Sequence, residues 1–307
     1  MASDGRPSTV SALRERIAAR LTGHVADPIE DAREMLAGLH DAARSWSTVH
    51  AMDKAIDLLI DAADDATERR LAGAPMAYAI GRAAFRHLFL HVDERVLIPR
   101  PETEELVSLA LGYVTSQCTV VDVGTGSGAI ALALAQESDA ARVIGTDLSP
   151  EAIEVAEMNA RAVLKREFAR TEFLLGDLLD PIGDEHIDLV VSNPPYIALT
   201  EREALPPSVV QWEPELALFG GDDGMVVIRA LVTQAERRLT AGGVLLMEID
   251  ARRAGEAQAC TSEPQWRDVA VLPDAFGRDR FLVARRTAAT ARDRGESDHG
   301  AVRGRSG

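Results

Sequence analysis

The chain has 307 residues, with 33 lysines and arginines against 49 aspartates and glutamates, a formal net charge of −16 at pH 7. That length permits one large domain or a medium one with a small companion, and 46% hydrophobic with 27% charged residues predicts a globular protein with a real core. The acidic balance counts against a nucleic-acid partner, which needs cations to displace counterions from phosphate, and no basic run stands outside the extreme C-terminus.

No apolar run reaches the ~18 residues of a membrane span. The first residues, MASDGRPSTV, lack the apolar core of a signal peptide, so no export is expected. Cys118 and Cys260 form neither a disulfide framework nor a metal cluster, which suits a reducing cytoplasm. The seven histidines are scattered without ligand spacing, so no metal is expected.

Residues 8 to about 73 read as helices. Val10, Leu13, Ile17 and Leu21 recur at helical spacing. A second helix starts at Asp27-Pro28-Ile29-Glu30: Asp27 caps, Pro28 suits the first position, and Glu30 is placed to reach back as in a capping box. Ile29, Ala32, Met35, Leu36 and Leu39 form its apolar face, and Ala55, Ile56, Leu58, Leu59 and Ile60 belong to a further helix. With no glycine loop and no cluster of reactive side chains, residues 1–73 are expected to be a small helical domain that docks a partner.

Over residues 74–100 the pattern changes to short β segments. Tyr78, Ile80, Phe85, Leu88, Phe89 and Leu90 stand among Gly81, His87 and His91, which predicts a hairpin linker. Pro99 and Pro101 are expected to stop regular structure on either side of Arg100. Arg100 is expected to shape the active-site entrance or to pair with Glu102 or Glu104.

From 101 to 286 strands alternate with helices. The predicted strands are Thr119–Val123, Arg142–Thr146, Glu172–Leu175, Asp188–Ser192, Val244–Ile249, Asp268–Leu272 and Phe281–Arg285, with helices such as Ala129–Gln136 and Pro150–Leu164 between them. The fold class this implies is α/β: a doubly wound, mostly parallel seven-stranded sheet, whose ligands bind outside the carboxyl ends of the strands. The stretch 287–307 has almost nothing apolar and is expected to be a disordered tail.

The first of these strands runs into Gly124-Thr125-Gly126-Ser127-Gly128, with a helix at Ala129. Alternating glycines let the backbone turn sharply and approach a ligand without a Cβ in the way. The second strand ends at Asp147, whose carboxylate is placed to accept hydrogen bonds from ribose hydroxyls, and Ser149-Pro150 then opens a helix. Gly124, Gly126 and Ala129 also satisfy the dinucleotide fingerprint, so a nicotinamide enzyme is a rival at this point. Asp177, after the third strand, meets an adenine in the nucleoside reading or stabilises a turn in the plainer one.

The fourth strand runs into Asn193-Pro194-Pro195-Tyr196. Two prolines stiffen the backbone and remove two N–H donors, so carbonyl oxygens at Asn193 and Pro194 can face a pocket. With the side-chain oxygen of Asn193 they suit a planar –NH2 group, holding both hydrogens and presenting the nitrogen to an electrophile. Tyr196 can pack over the planar group or over a sulfonium. A sulfonium leaves without an acid, whereas an amide or arylamine nitrogen needs orientation, so the device fits methyl transfer.

These residues resemble the class I S-adenosylmethionine methyltransferases with an Asn-Pro-Pro-Tyr site. The fuller resemblance is to the release-factor glutamine methyltransferases, the HemK/PrmC family. It rests most specifically on Val96-Leu97-Ile98-Pro99-Arg100-Pro101-Glu102-Thr103-Glu104, followed by Asp122 to Gly128, Asp147, Asn193 to Ile197, Glu213-Pro214, Gly220-Gly221, Asp223-Gly224 and Gly277-Arg278-Asp279-Arg280. The resemblance implies that Gly124 to Gly128 line the methionine part of S-adenosylmethionine, Asp147 holds the ribose and Leu178 lies beside the adenine. It implies that Asn193 to Tyr196 hold the glutamine of a Gly-Gly-Gln loop in a peptide chain release factor. Asp250 stands where the family pattern has glycine, which puts the backbone after the fifth strand in question. Two alternatives stay open: a sibling group acts on a ribosomal-protein glutamine, and adenine methyltransferases of DNA or RNA use the same four residues. Trp212, beside Glu213-Pro214, is expected to pack in the core or in a lid.

Overall fold

The structure, a computed structural model, describes residues 6–183 and 185–287, so the expectation for the tail beyond Thr287 lies outside the described residues. Thr287 itself is tied down, its N–H donating to Gln265 O at 2.8 Å.

The N-terminal block is helical: α1 (Val10–Leu21), α2 (Pro28–Leu39), a short α3 (Trp46–Val49) and α4 (Asp57–Leu71). Asp27 accepts from the N–H groups of Ile29 and Glu30, and Pro28 takes the first turn. Glu30 does not reach back; its carboxylate lies 3.6 Å from Arg33 and from Arg44. The buried stripe of α2 is Ala32, Met35, Leu36 and Ala37, while Ile29 is exposed. Ala55 and Ile56 precede α4 rather than belonging to it, and Leu58 points outward while Leu59, Ile60, Ala63 and Ala66 face the core. The reason is the helical period, which lets an apolar run contribute only every third or fourth residue to one face. The sequence carries no signal for α3, which is held by stacking of Trp46 between His40 and His50.

Tyr78 and Ile80 lie in a single helical turn, α5 (Met76–Ile80), not in a β segment; Gly81, at φ 71°, ends it. The hairpin is shorter than expected: β1 (Arg82–Phe85) pairs antiparallel with β2 (Leu88–His91). At its turn Arg86 grips Glu137 through two nitrogens at 2.6 and 2.5 Å and donates to Glu104 O and Ser108 Oγ. At its far end Asn159 accepts from His91 N (2.8 Å) and donates to His91 O (3.0 Å) and Ser127 O (2.9 Å). Pro101 does not interrupt structure; it occupies the first turn of α6 (Pro101–Leu111), where its missing N–H costs nothing.

The sheet follows, with its helices: β3 (Thr119–Val123), α7 (Ala129–Glu137), β4 (Arg142–Asp147), α8 (Pro150–Val163), β5 (Thr171–Leu175), β6 (Ile187–Ser192), α9 (Pro207–Trp212), α10 (Glu215–Leu218), α11 (Val226–Arg238), β7 (Leu239–Glu248), α12 (Ala254–Ala259), β8 (Trp266–Pro273) and β9 (Asp279–Arg286). Strand order is β5-β4-β3-β6-β7-β9-β8; all neighbours from β5 to β7 are parallel, and β9 is antiparallel to both β7 and β8. The predicted strand positions hold, with β7 beginning five residues before Val244 (244 − 239).

Alternate residues of each strand feed opposite cores. Val120, Leu189, Leu246 and Val283 pack with α6, α7 and the hairpin, and Val121, Val190, Leu245 and Leu282 pack with α11 and α12. No described helix is long and apolar enough to cross a membrane. Strand order reverses between β3, which leads outward to β4, and β6, so the crevice at their carboxyl ends is where such a sheet holds ligands.

Candidate active site

Gly124 and Gly126 have φ values of 72° and 54°, and a Cβ on either would meet nothing within 4 Å. The backbone there is left-handed and open, a cradle for a ligand that approaches the main chain. Gly128, at φ 82°, has a different role: its Cβ would stand 3.1 Å from Leu132 and 3.3 Å from Ala156, so it lets α7 and α8 approach. Thr125 and Ser127 are buried, and Thr125 Oγ1 donates to Asp122 Oδ2 at 2.6 Å; both residues border a small cavity with Gly124, Gly126 and Asn193.

Asp122 enters the sequence reading only as the first residue of the motif that runs to Gly128, with no role of its own. It is fully buried, its Oδ2 also accepts from Ala131 N, and its Oδ1 has no partner. Burial pushes its carboxyl up to about 7 against those two hydrogen bonds. Between the unfolded value, 3.8, and about 7 the native state binds the proton more tightly, so stability is lost as pH rises through that window. Asp122→Asn should flatten this decline, whose slope is at most about 1.4 kcal/mol for each step of one in pH. Denaturant unfolding of both proteins from pH 4 to 8 checks it; parallel stability curves would sink the assignment.

Asp147, at the end of β4, accepts from Gly126 N through Oδ2 (2.8 Å) and from Ser149 N through Oδ1 (3.0 Å). Burial raises its pKa, and these N–H groups oppose that. The carboxylate thus ties the glycine loop to the start of α8, and each oxygen keeps a lone pair for a ligand. Asp177 and Leu178 lie across the same cleft. Leu178 holds φ at 47°, a strained conformation for a branched side chain, with its carbonyl accepting from Thr146 Oγ1 at 2.8 Å. One cavity is lined by Gly124, Gly126, Asp147, Asp177, Leu178, Asn193 and Pro195 together.

A second cavity adjoins it, lined by Arg100, Asn193, Pro194, Pro195, Tyr196 and residues of 197–218. Asn193 and Pro195 border both, so the segment after β6 is the partition between them. Ser192 Oγ donates to Val123 O at 2.7 Å and fixes the ends of β3 and β6 to each other. Asn193 Nδ2 donates to Thr103 Oγ1 at 3.0 Å, and Tyr196 OH donates to Glu248 Oε1 at 3.2 Å. Burial first, then the Glu248 charge, raises the Tyr196 phenol, which stays protonated. The loop at 218–224 must lie against this segment: a Cβ at Gly220 would stand 2.3 Å from Pro195 O, and one at Gly224 2.4 Å from Tyr196 O.

Arg100 pairs with neither Glu102 nor Glu104. It reaches Glu213, buried, with 2.6 Å to each carboxylate oxygen, and so straps the segment before α6 to the loop that covers the second cavity. Trp212 packs beside it against the cluster of Tyr78, Val92 and Val96. Asp250 resolves the doubt over the missing glycine: its φ is −73°, open to any residue. Its carboxylate caps the next turn through Arg252 N and pairs with Arg252 and Arg253, both of which also hold Glu201 in the covering loop.

Comparison with known proteins agrees with this arrangement. Residues 114–272 match the family described as methyltransferase domain, and residues 12–81 match the PrmC N-terminal domain. The release factor glutamine methyltransferase of Streptomyces coelicolor is 41% identical over 270 residues, covering 85% of this chain and 92% of that one. Its counterpart from Lactococcus lactis is 38% identical over 270 residues, covering 83% of this chain and 98% of that one. Among solved structures, the hMettl16 catalytic domain in complex with MAT2A 3'UTR hairpin 6 has a TM-score of 0.51 at 13% identity, covering 78% of this chain and 86% of that one, a likeness of fold alone. Open glycines facing Asp147, an Asn-Pro-Pro-Tyr partition and relatives matched almost end to end place this chain in the family of release factor glutamine methyltransferases.

Proposed function

We propose that the protein transfers a methyl group from S-adenosylmethionine to the side-chain amide nitrogen of the glutamine in the Gly-Gly-Gln motif of peptide chain release factors, in the cytoplasm, as part of translation termination. The observation that carries this reading is Asn193, standing between two cavities with its amide NH2 already engaged and its oxygen left for a ligand. When bound, the cofactor supplies an electrophilic methyl group on a sulfonium.

The open backbone at Gly124 and Gly126 fits a ligand that presses on the main chain, and Asp147 fits a pair of hydroxyls. Asp177 and Leu178 would then bound the adenine. On the other side of the partition, Asn193 Oδ1 and the carbonyl of Pro194 accept the two hydrogens of the acceptor amide. That arrangement turns the face of its nitrogen toward the first cavity without any protein group removing a proton before transfer; as the new N–C bond forms and the S–C bond breaks, the nitrogen sheds one of its two protons to solvent. Pro194 and Pro195 add no N–H to compete with the substrate. Tyr196, held by Glu248, closes the side of the pocket. Residues 1–73 serve as a docking module for the body of the factor, 74–100 as the linker and 101–286 as the catalytic domain.

The test is labelled-methyl transfer run in parallel on a release factor, ribosomal proteins, DNA and RNA, with mass spectrometry locating the methyl. The expected label is on the Gly-Gly-Gln glutamine. A free Gly-Gly-Gln peptide should be a much poorer substrate, because contacts remote from the reacting group orient it. Label on nucleic acid and none on the factor would overturn the reading, and label on a ribosomal protein would move it to the sibling group.

A further inference from the structure

Two buried polar side chains, Thr103 and Glu248, stand behind the partition. Thr103, in the first turn of α6, is 4% exposed, and Glu248, at the end of β7, is 1% exposed. They join the partition into one chain of hydrogen bonds: Asn193 Nδ2 to Thr103 Oγ1 (3.0 Å), Thr103 Oγ1 to Glu248 Oε2 (2.8 Å), and Tyr196 OH to Glu248 Oε1 (3.2 Å).

With Glu248 ionised, the direction of this chain follows from counting protons. A carboxylate only accepts, so the hydroxyls of Thr103 and Tyr196 must both point their hydrogens at Glu248. Thr103 then has no proton left for Asn193 and can only accept from it. Asn193 must therefore turn its NH2 toward Thr103 and its Oδ1 toward the cavities. Without that constraint an asparagine amide can be turned over, since its two ends are nearly the same size. Turned over, it would offer NH2 hydrogens to a substrate group that itself carries only hydrogens. Burial, helped by the charge of Glu102, raises the Glu248 carboxyl; the Thr103 hydroxyl, the charge of Arg280 on β9 and the Tyr196 hydroxyl oppose that and favour its ionised form.

We propose that Thr103 and Glu248 are positioning residues that fix which end of the Asn193 amide meets the substrate. The proposal rests on the reading that Asn193 holds an acceptor –NH2 group. It gives the Pro101-Glu102-Thr103-Glu104 run a physical role, because α6 brings a hydroxyl under the partition, between a strand-end carboxylate and the asparagine.

The experiment compares Thr103→Val, which keeps shape and loses the hydroxyl, with Thr103→Ser, which keeps the hydroxyl, and with the near-isosteric Glu248→Gln. Methyl transfer to a folded release factor is measured with saturating cofactor, beside calorimetry of cofactor binding and thermal unfolding. Thr103→Val and Glu248→Gln should lower kcat by about tenfold or more, with KM for the factor and cofactor affinity within about threefold of wild type. Thr103→Ser should recover most of the loss. Side-chain NMR gives a readout that needs no turnover: the Asn193 NH2 resonances, identified by their absence in Asn193→Asp, should lose their hydrogen-bonded shift in Thr103→Val and keep it in Thr103→Ser. Near-normal kcat in both Thr103→Val and Glu248→Gln would overturn the proposal, as would Thr103→Ser failing as badly as Thr103→Val. If the wild-type enzyme labels no release factor, the acceptor reading fails. The relay is then decided by NMR alone, where an Asn193 signal unmoved by Thr103→Val would refute it.

Discussion

Asn193→Ala should lower single-turnover methyl transfer by about 100-fold or more, the scale seen when one preorganised polar group is removed from a reacting centre. The fold should survive, because Asn193 is half-buried at a strand end and its one donated bond, to Thr103, can be replaced by water. Cofactor affinity should change little, since Gly124, Gly126 and Asp147 stand on other strand ends. On the proposed reading the variant would lose the acceptor that holds the substrate amide at the right angle, so the deficit would belong in the chemical step. Asn193→Asp should also be poor: it keeps an acceptor, but its charge and missing NH2 clash with the lone pairs of Thr103 and with buried Glu248 nearby. Rapid-quench assays with saturating cofactor make the measurement, and near-normal turnover in the alanine variant would move the reacting site elsewhere.

Asp147→Ala should weaken S-adenosylmethionine and its demethylated product by about 1.5–3 kcal/mol, or roughly 10- to 150-fold, if water partly replaces two charge-assisted bonds to ribose. The structure adds a second source of loss. The same carboxylate fastens Gly126 N and Ser149 N, so the variant also frees the glycine loop. Asp147→Asn separates the two: one amide oxygen can still hold a backbone N–H, and affinity should fall between the other two proteins. Calorimetry with both ligands and with NAD as the control decides the matter. Unchanged affinity in the alanine variant would remove Asp147 from the site, and binding of NAD would revive the nicotinamide alternative.

Much of this molecule is legible in its sequence because much of it is local. A strand running into glycines, or into Asn-Pro-Pro, marks its own end, and seven such segments alternating with helices leave few topologies. Asp147 and Asn193 stand out for the same reason, as polar residues at the ends of apolar strands. What the sequence hides is what the sheet order brings together. Thr103 lies 90 residues from Asn193 and 145 from Glu248, and nothing near any of them announces the others. Arg100 has acidic neighbours in Glu102 and Glu104, which mask its actual partner, Glu213, 113 residues away in the chain. Asp122 opens the motif that runs to Gly128, but its complete burial shows only once both faces of the sheet are covered. The short α5 resembles β structure because one turn of helix offers no period to read.

The hairpin is pinned at both ends: Arg86 at its turn grips α6 and α7, and Asn159 at its far end joins it to α8 and the glycine loop. A ribbon fixed at one point can swivel, whereas one fixed at two cannot. The hairpin therefore keeps one place against the catalytic helices, and the N-terminal helices hang from that fixed joint. Under the docking proposed above for residues 1–73, the joint would set the reach to the partition at Asn193. A glutamine amide on a shorter or longer arm would then fall outside the cleft.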